Sequence, residues 1–170
     1  MASIEPSKLD RMKRSFGSDA ALDEVFIVLS IGAGLIATLG LLADSPAVVI
    51  GAMVVAPWIM PLRAAAFGVL FGDIPLLTRS LRTLMVGVLA TTVLSILLGK
   101  LAGLPQFGSE VAARTSPNLL DLGIALVAGG LATYAKLRSD AVSSLAGTAI
   151  AVALVPPICV MGLLLSHSHW

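Results

Sequence analysis

Hydrophobic positions in this chain gather into five long runs separated by short polar breaks. They extend from about Val25 to Ala43, Pro46 to Phe71, Leu84 to Leu104, Leu119 to Ala135 and Val142 to Leu165. Each approaches or exceeds the roughly 20 residues with which an α-helix crosses about 30 Å of hydrocarbon. A buried strand is excluded by length, and no period-two alternation points to a β-barrel. The pattern predicts an all-α fold, a polytopic transmembrane bundle of about five spans. Ahead of it, Pro6 to Phe16 is polar and basic. Leu9, Met12 and Phe16 fall on one helical face, with Lys8, Arg11, Lys13 and Arg14 around them. This reads as a short interfacial helix on an anionic membrane surface, or else as a solvated terminus. Ser18 or Asp19 is expected to cap the next helix, with Asp23 and Glu24 in its first turn. Residues 1–22 are thus a basic cytoplasmic segment and 23–170 the membrane domain.

Composition strengthens this reading. The chain is 57% hydrophobic and 12% charged, with a mean hydropathy of +0.98. A soluble domain is nearer half apolar and a quarter charged. A net charge of +1 gives no electrostatic case for nucleic acid. The first apolar run starts too late for a cleavable signal peptide. Cys159, the single cysteine, excludes an internal disulfide and reads as a small core residue rather than a nucleophile. His167 and His169 read as part of a solvated tail rather than a metal site.

Charge also orients the spans. With the N-terminus in the cytoplasm, Lys8, Arg11, Lys13, Arg14, Arg79, Arg82, Lys136 and Arg138 all fall inside. Only Lys100 and Arg114 fall near the outer connections. This bias predicts an N-in, multi-pass protein of the cell inner or plasma membrane. Ala102 to Pro117, rich in Gly, Pro and Ser, is expected to be an outer loop. Re-entrant hairpins at the proline-bearing runs would move Arg79 and Arg82 outside and spoil the bias.

Two segments resemble each other. Laying Pro57 on Pro156 places Ser45 on Ser144, Ala47 on Ala146, Ala52 on Ala151 and Ile59 on Ile158. The preceding runs match loosely, Gly34 on Gly129 and Thr38 on Thr133. Repeat one covers about 25–71 and repeat two about 119–165. Because the copies start three spans apart, they are expected to cross in opposite directions. Inverted repeats with proline-interrupted helices build midplane sites in many transporters.

Pro57 and Pro61 lie in the second run, Pro156 and Pro157 in the fifth. Proline removes a backbone donor and clashes with the carbonyl one turn earlier. A carbonyl so freed is tolerated in lipid only where protein or a wet cavity covers it. Both breaks are therefore expected to face the interior and each other; the simpler alternative is a packing kink. Arg63, followed by three alanines, is costly in such a run and marks an anion-binding site or a buried pair, unless it snorkels. Asp73 is a candidate partner if the chain bends or a second subunit supplies it. Small residues mark close helix contacts: Gly68 with Gly72, Ala47 with Gly51, Ala52 with Ala56, and Gly147 with Ala151. Five spans enclose little volume, so a homo-oligomer is expected. The lipid bilayer is the expected surround, and an anionic ligand or lipid a candidate partner of Arg63.

Phosphate-binding glycine loops, HExxH, CxxC and Gly-x-Ser-x-Gly are absent, as are paired intramembrane carboxylates. No enzyme, cofactor or metal site is expected. The blocks SPAVVIGAMVVAPWIMP, then Gly72-Asp73, then SSLAGTAIAVALVPP resemble the family called domain of unknown function 389. The resemblance covers about Asp23 to Leu165. It implies a multi-spanning fold without an established activity, and marks Ser45, Gly51, Pro57, Pro61, Gly72, Asp73, Ser144, Pro156 and Pro157. Members often carry an N-terminal soluble domain and a sixth apolar segment after the Pro-Pro block, so a longer parent chain is one expectation. The leading functional expectation is a small oligomeric channel or transporter for a small solute or ion. The alternative is a membrane scaffold or lipid- or ligand-binding module that transports nothing.

Overall fold

The computed structural model describes residues 6–103, 107–116, 119–138 and 140–167, with side chains described outside 6–12, 132–133, 135–138 and 140–153. These residues form eight helices: α1 (Pro6–Asp19), α2 (Glu24–Leu42), α3 (Pro46–Val55), α4 (Ile59–Phe71), α5 (Ile74–Ala102), α6 (Ser109–Ala113), α7 (Leu119–Arg138) and α8 (Asp140–His167). Two of them, α2 and α5, are long and apolar enough to cross a membrane. A third candidate is α3 and α4 taken as one span bent by 55°. The apolar stretches described in α7 and α8 are shorter, Leu119–Leu131 and Leu154–His167.

The polarity of α5 is inside out. Ser80, Thr83, Gly87, Thr91, Ser95 and Gly99 are buried along one face. Leu81, Met85, Leu89, Val93, Leu97 and Leu101 are exposed along the opposite one. Water would drive the leucines inward; lipid accepts them and leaves small and hydroxyl residues to bring backbones together. The arrangement is compatible with a membrane protein.

Contacts along this face fix helix direction. Gly34 of α2 meets Thr91 of α5, and Thr38 one turn on shares a 2.8 Å hydrogen bond with Ser95. On α8, Cys159 faces Gly34, Gly162 meets Ser95, and Ser166 meets Gly99. So α2, α5 and α8 run parallel. A side chain at Gly162 would stand 2.6 Å from the Ser95 Cβ, so this crossing needs glycine. Ala52, Ala56 and Trp58 join Cys159, Val160 and Leu163 in the same core.

Several boundaries differ from expectation. α5 begins at Ile74, not Leu84, so Arg79 and Arg82 are exposed on its first turns rather than in a loop. At roughly 1.5 Å per residue its 29 residues exceed the hydrocarbon thickness, which leaves those turns room outside it. The connection between α5 and α7 holds the short helix α6. The cap of α2 is Asp23, whose carboxylate accepts the Phe26 N–H at 2.8 Å, and not Ser18 or Asp19. His167 ends α8, half-buried, with its ring edge-on to Phe107 at 4.5 Å, rather than floating in a tail; His169 lies outside the described residues.

Proline gives the largest difference. α3 and α4 are broken at Ala56–Trp58, as expected, but α8 runs unbroken through Pro156 and Pro157. Pro61 is no break either. It lies in the first turn of α4, where a missing N–H has no helical acceptor to lose.

Candidate functional site

The residue before a proline is pushed toward extended backbone. Ala56 obeys, with φ −65° and ψ 123°. Trp58 then turns its ring inward. It is 1% exposed, and its indole N–H donates to Ser30 Oγ at 3.1 Å. Gly87 leaves room for both Trp58 and Phe26. The break ends α3 at Val55, so its last carbonyls lack helical amide partners. Pro57 and Pro61 are buried here, and Val155 and Cys159 from beside the second proline pair enter the same cluster. Pro156 is buried too, but Pro157 is exposed. Both prolines of the first region and one of the second are therefore buried, while Pro157 is exposed.

Arg63, one helical turn into α4, is 7% exposed. Its Nη2 lies 3.6 Å from Oδ2 of Asp19, which is itself 9% exposed. The partner is therefore Asp19 at the end of α1, and not Asp73. Arg63 does not snorkel. Asp73 instead caps α5, accepting the Leu76 N–H at 3.1 Å. α1 is docked against α4. Phe16 stacks on Phe67 at 4.4 Å, Phe67 on Phe71 at 4.3 Å, and Thr83 Oγ1 donates to Ala20 O at 2.9 Å. Lys13 and Arg14 remain exposed on α1.

The other expected residues divide. Ser45 is half-buried at the start of α3, where its hydroxyl makes no capping bond. That is a whole ten-residue helix, roughly 15 Å, from the elbow and further from Arg63. Ser144 and Gly147 lie on α8 where side chains are outside the described residues. Gly68 packs against the backbone of Asp73 and Leu77. Gly72 closes α4 at φ +66°, a left-handed position that favours glycine, and meets no neighbour. Gly51 is exposed with open space before it, so it packs no helix among the described residues.

Trp58 and Ser30 went unread in the sequence, and Asp19 was read only as a helix cap. A signal for Trp58 existed: a tryptophan in mid-run is unusual, since membrane aromatics collect at the interfaces. For the seam of α5, the spacing of Ser80, Thr83, Gly87, Thr91, Ser95 and Gly99 was such a signal. Asp19 had none, because it resembles the capping residues around it.

At the opposite end of α2, Asp44 (φ +50°) accepts the Glu110 N–H at 2.7 Å and the Ser109 hydroxyl at 3.0 Å. These bonds, the Glu110 amide first, hold its carboxyl below the ordinary carboxylate value. They pin α6 to the α2–α3 turn.

Chemically, the elements here are a buried guanidinium fork suited to a carboxylate or phosphate, carbonyls at a helix break, and a buried hydroxyl seam. No group of His, Cys, Asp and Glu among the described residues is arranged to hold a metal ion.

No solved structure matches the chain. It is 30% identical over 170 residues to the uncharacterised protein MJ0678 of Methanocaldococcus jannaschii, covering 97% of this chain and 52% of that one. The chain thus spans about half the length of the curated relative it matches. The model of the family described as Domain of unknown function (DUF389) matches residues 53–170, from the elbow through α8, and the chain belongs to that family.

Proposed function

We propose that this is a multi-pass membrane protein that moves a small solute or ion, as a channel or carrier assembled from several copies. The observation that carries the reading is the elbow at Pro57–Trp58 with the Arg63–Asp19 pair just beyond it. An interrupted helix and a buried charge are each costly in lipid and recur together where solutes cross. Arg63 is the contact for an anionic group, which competes with Asp19 for the fork.

Five spans and an N-in orientation belong to the same proposal. The parallel run of α2, α5 and α8 supports the five spans, since first, third and fifth spans must agree in direction, and the bias of Lys and Arg supports the orientation. The inverted repeat is supported likewise: α3 and α4 return antiparallel to α2, while α8, their counterpart, runs with it. The repeat is imperfect, because only one copy is broken.

The test is flux through purified protein in liposomes, read by dye quenching for protons, potassium and chloride. Flux above empty liposomes, reduced at least tenfold by Arg63→Ala in folded protein, is expected. Flux that the variant leaves unchanged removes Arg63 from the pathway.

A second reading is a membrane scaffold or lipid- and ligand-binding module. The docking of α1 favours it, because Asp19 already occupies Arg63. Folded, oriented oligomers that pass none of the three ions shift the weight to this reading.

A further inference from the structure

α1 is fastened differently from the rest of the molecule. The main core draws on α2, α3, the elbow, α6 and α8, and takes no residue from α1 or α4. Phe16 and Ala20 instead pack in a second, smaller cluster with Ala64 and Phe67 of α4 and Leu76 of α5. Polar ties reinforce that cluster: the Asp19–Arg63 pair at 3.6 Å and the 2.9 Å bond from Thr83 to the Ala20 carbonyl. Residues 21–23 then run without helix to α2, whose first turn carries its own cap in Asp23. α2 therefore starts without help from α1. A satellite cluster beside a short non-helical link is the kind of unit that opens while the main core holds.

Asp19 stands at an unfavourable place for a carboxylate. It is the last residue of α1, and no basic residue shares that last turn. A helix C-terminus carries the negative end of the dipole, so local chemistry disfavours an acid there. Arg63 offsets this from across the interface with α4. The two charges sit 3.6 Å apart, further than the roughly 2.7–2.9 Å of a short charge-assisted hydrogen bond. A free carboxylate or phosphate can present two oxygens in the plane of the guanidinium, unconstrained by a helix end. Such an oxyanion competes for the fork that Asp19 holds.

We infer that α1 is an autoinhibitory strap over Arg63. Its terminal carboxylate occupies the fork in place of an oxyanion of the carboxylate or phosphate type. Binding of that oxyanion releases the strap, which turns away about residues 21–23. Phe16, stacked on Phe67 at 4.4 Å, is the catch that seats it again. The inference rests on the reading of Arg63 as an anion contact and supplies its regulation, but release of α1 is measured without flux.

The experiment is hydrogen exchange by mass spectrometry on the full chain in phosphatidylcholine nanodiscs, with inorganic phosphate or with chloride at matched ionic strength. Phosphate is expected to speed exchange of the α1 amides several-fold beyond chloride and to leave α2 and α5 unchanged. Arg63→Gln abolishes that response. Without phosphate, Phe16→Ala speeds the same amides by about tenfold or more, because loss of a buried phenyl shifts the opening equilibrium by at least a decade. Thr83→Val, which keeps the size of the side chain and removes the bond to Ala20, speeds them less and serves if Phe16→Ala fails to fold. A second arm adds phosphatidylglycerol to the nanodiscs of a chain carrying Lys8→Gln, Arg11→Gln, Lys13→Gln and Arg14→Gln, which removes the general pull of an anionic surface on α1. Release in that arm alone assigns the oxyanion to a lipid head; release by phosphate assigns it to a soluble anion. Release of α1 without any ion flux keeps the strap and removes transport. Exchange of α1 that neither anion source moves, or flux in the parent that Phe16→Ala fails to raise, overturns the strap.

Discussion

Two proline-bearing regions with matching sequences behave differently in this molecule. At Pro57 the helix opens by 55°, and at Pro156–Pro157 it continues. The residue after the aligned proline accounts for the difference. Trp58 is large, carries one donor, and finds Ser30 and the space over Gly87 only by turning into the core. Extended backbone at Ala56 permits that turn. In α8 the same position is Pro157, which has no long side chain to anchor and is exposed. Proline supplies the opportunity for a break; a neighbour with somewhere to go determines whether the chain takes it.

The largest expected effect lies on the elbow side, just beyond the break. Removing one member of the Arg63–Asp19 pair strands a buried charge. Asp19→Ala is expected to destabilise the fold by about 3–5 kcal/mol, while a paired apolar replacement, Asp19→Leu with Arg63→Met, recovers most of it. Thermal unfolding in detergent decides this. Equal losses in the single and double variants would show that the pair is not a coupled unit.

Next come the two residues that separate the regions. Trp58→Ala should cost about 3–5 kcal/mol by leaving a cavity and an unanswered Ser30, and Trp58→Phe only about 1 kcal/mol for the lost hydrogen bond. Pro157→Ala should stay within about 1 kcal/mol of the parent, since its exposed ring packs nothing in the core. If Pro157→Ala proves as damaging as Trp58→Ala, the contrast drawn between elbow and α8 is wrong.

The smallest effect is at the other end of the bundle, where the carboxyl of Asp44 is held below its ordinary value by the Glu110 amide and Ser109 hydroxyl. Its folded value is depressed, so its contribution is fully present above the unfolded value of about 3.9. It is lost as pH falls through the lower folded value. Hydrogen-exchange protection of the Glu110 amide, scaled to its intrinsic rate, should drop a few-fold across that acid range. Asp44→Asn keeps the turn residue type and should abolish the pH step.

Much of this architecture was legible in the runs of apolar residues, because lipid and helix length leave few alternatives. α2, the broken α3–α4 segment and most of α5 follow the predicted runs closely. The elbow was legible because Pro57 biases its neighbour locally. The continuity of α8 was not, since it depends on what surrounds Pro157 rather than on proline itself. Asp19 as the partner of Arg63 was not legible either: the two residues meet only after α1 folds back onto α4 through Phe16 and Phe67. Ser45 shows the converse limit, a repeat position that matches in sequence and stands a whole helix away from the elbow.

The most direct test of the proposed role of the elbow is ion flux in liposomes for the parent chain, Trp58→Phe and Pro157→Ala, at matched folded protein. The account predicts flux in the parent, a change of at least tenfold in Trp58→Phe and less than twofold in Pro157→Ala. Equal effects at the two positions, or flux indifferent to Trp58, would contradict it.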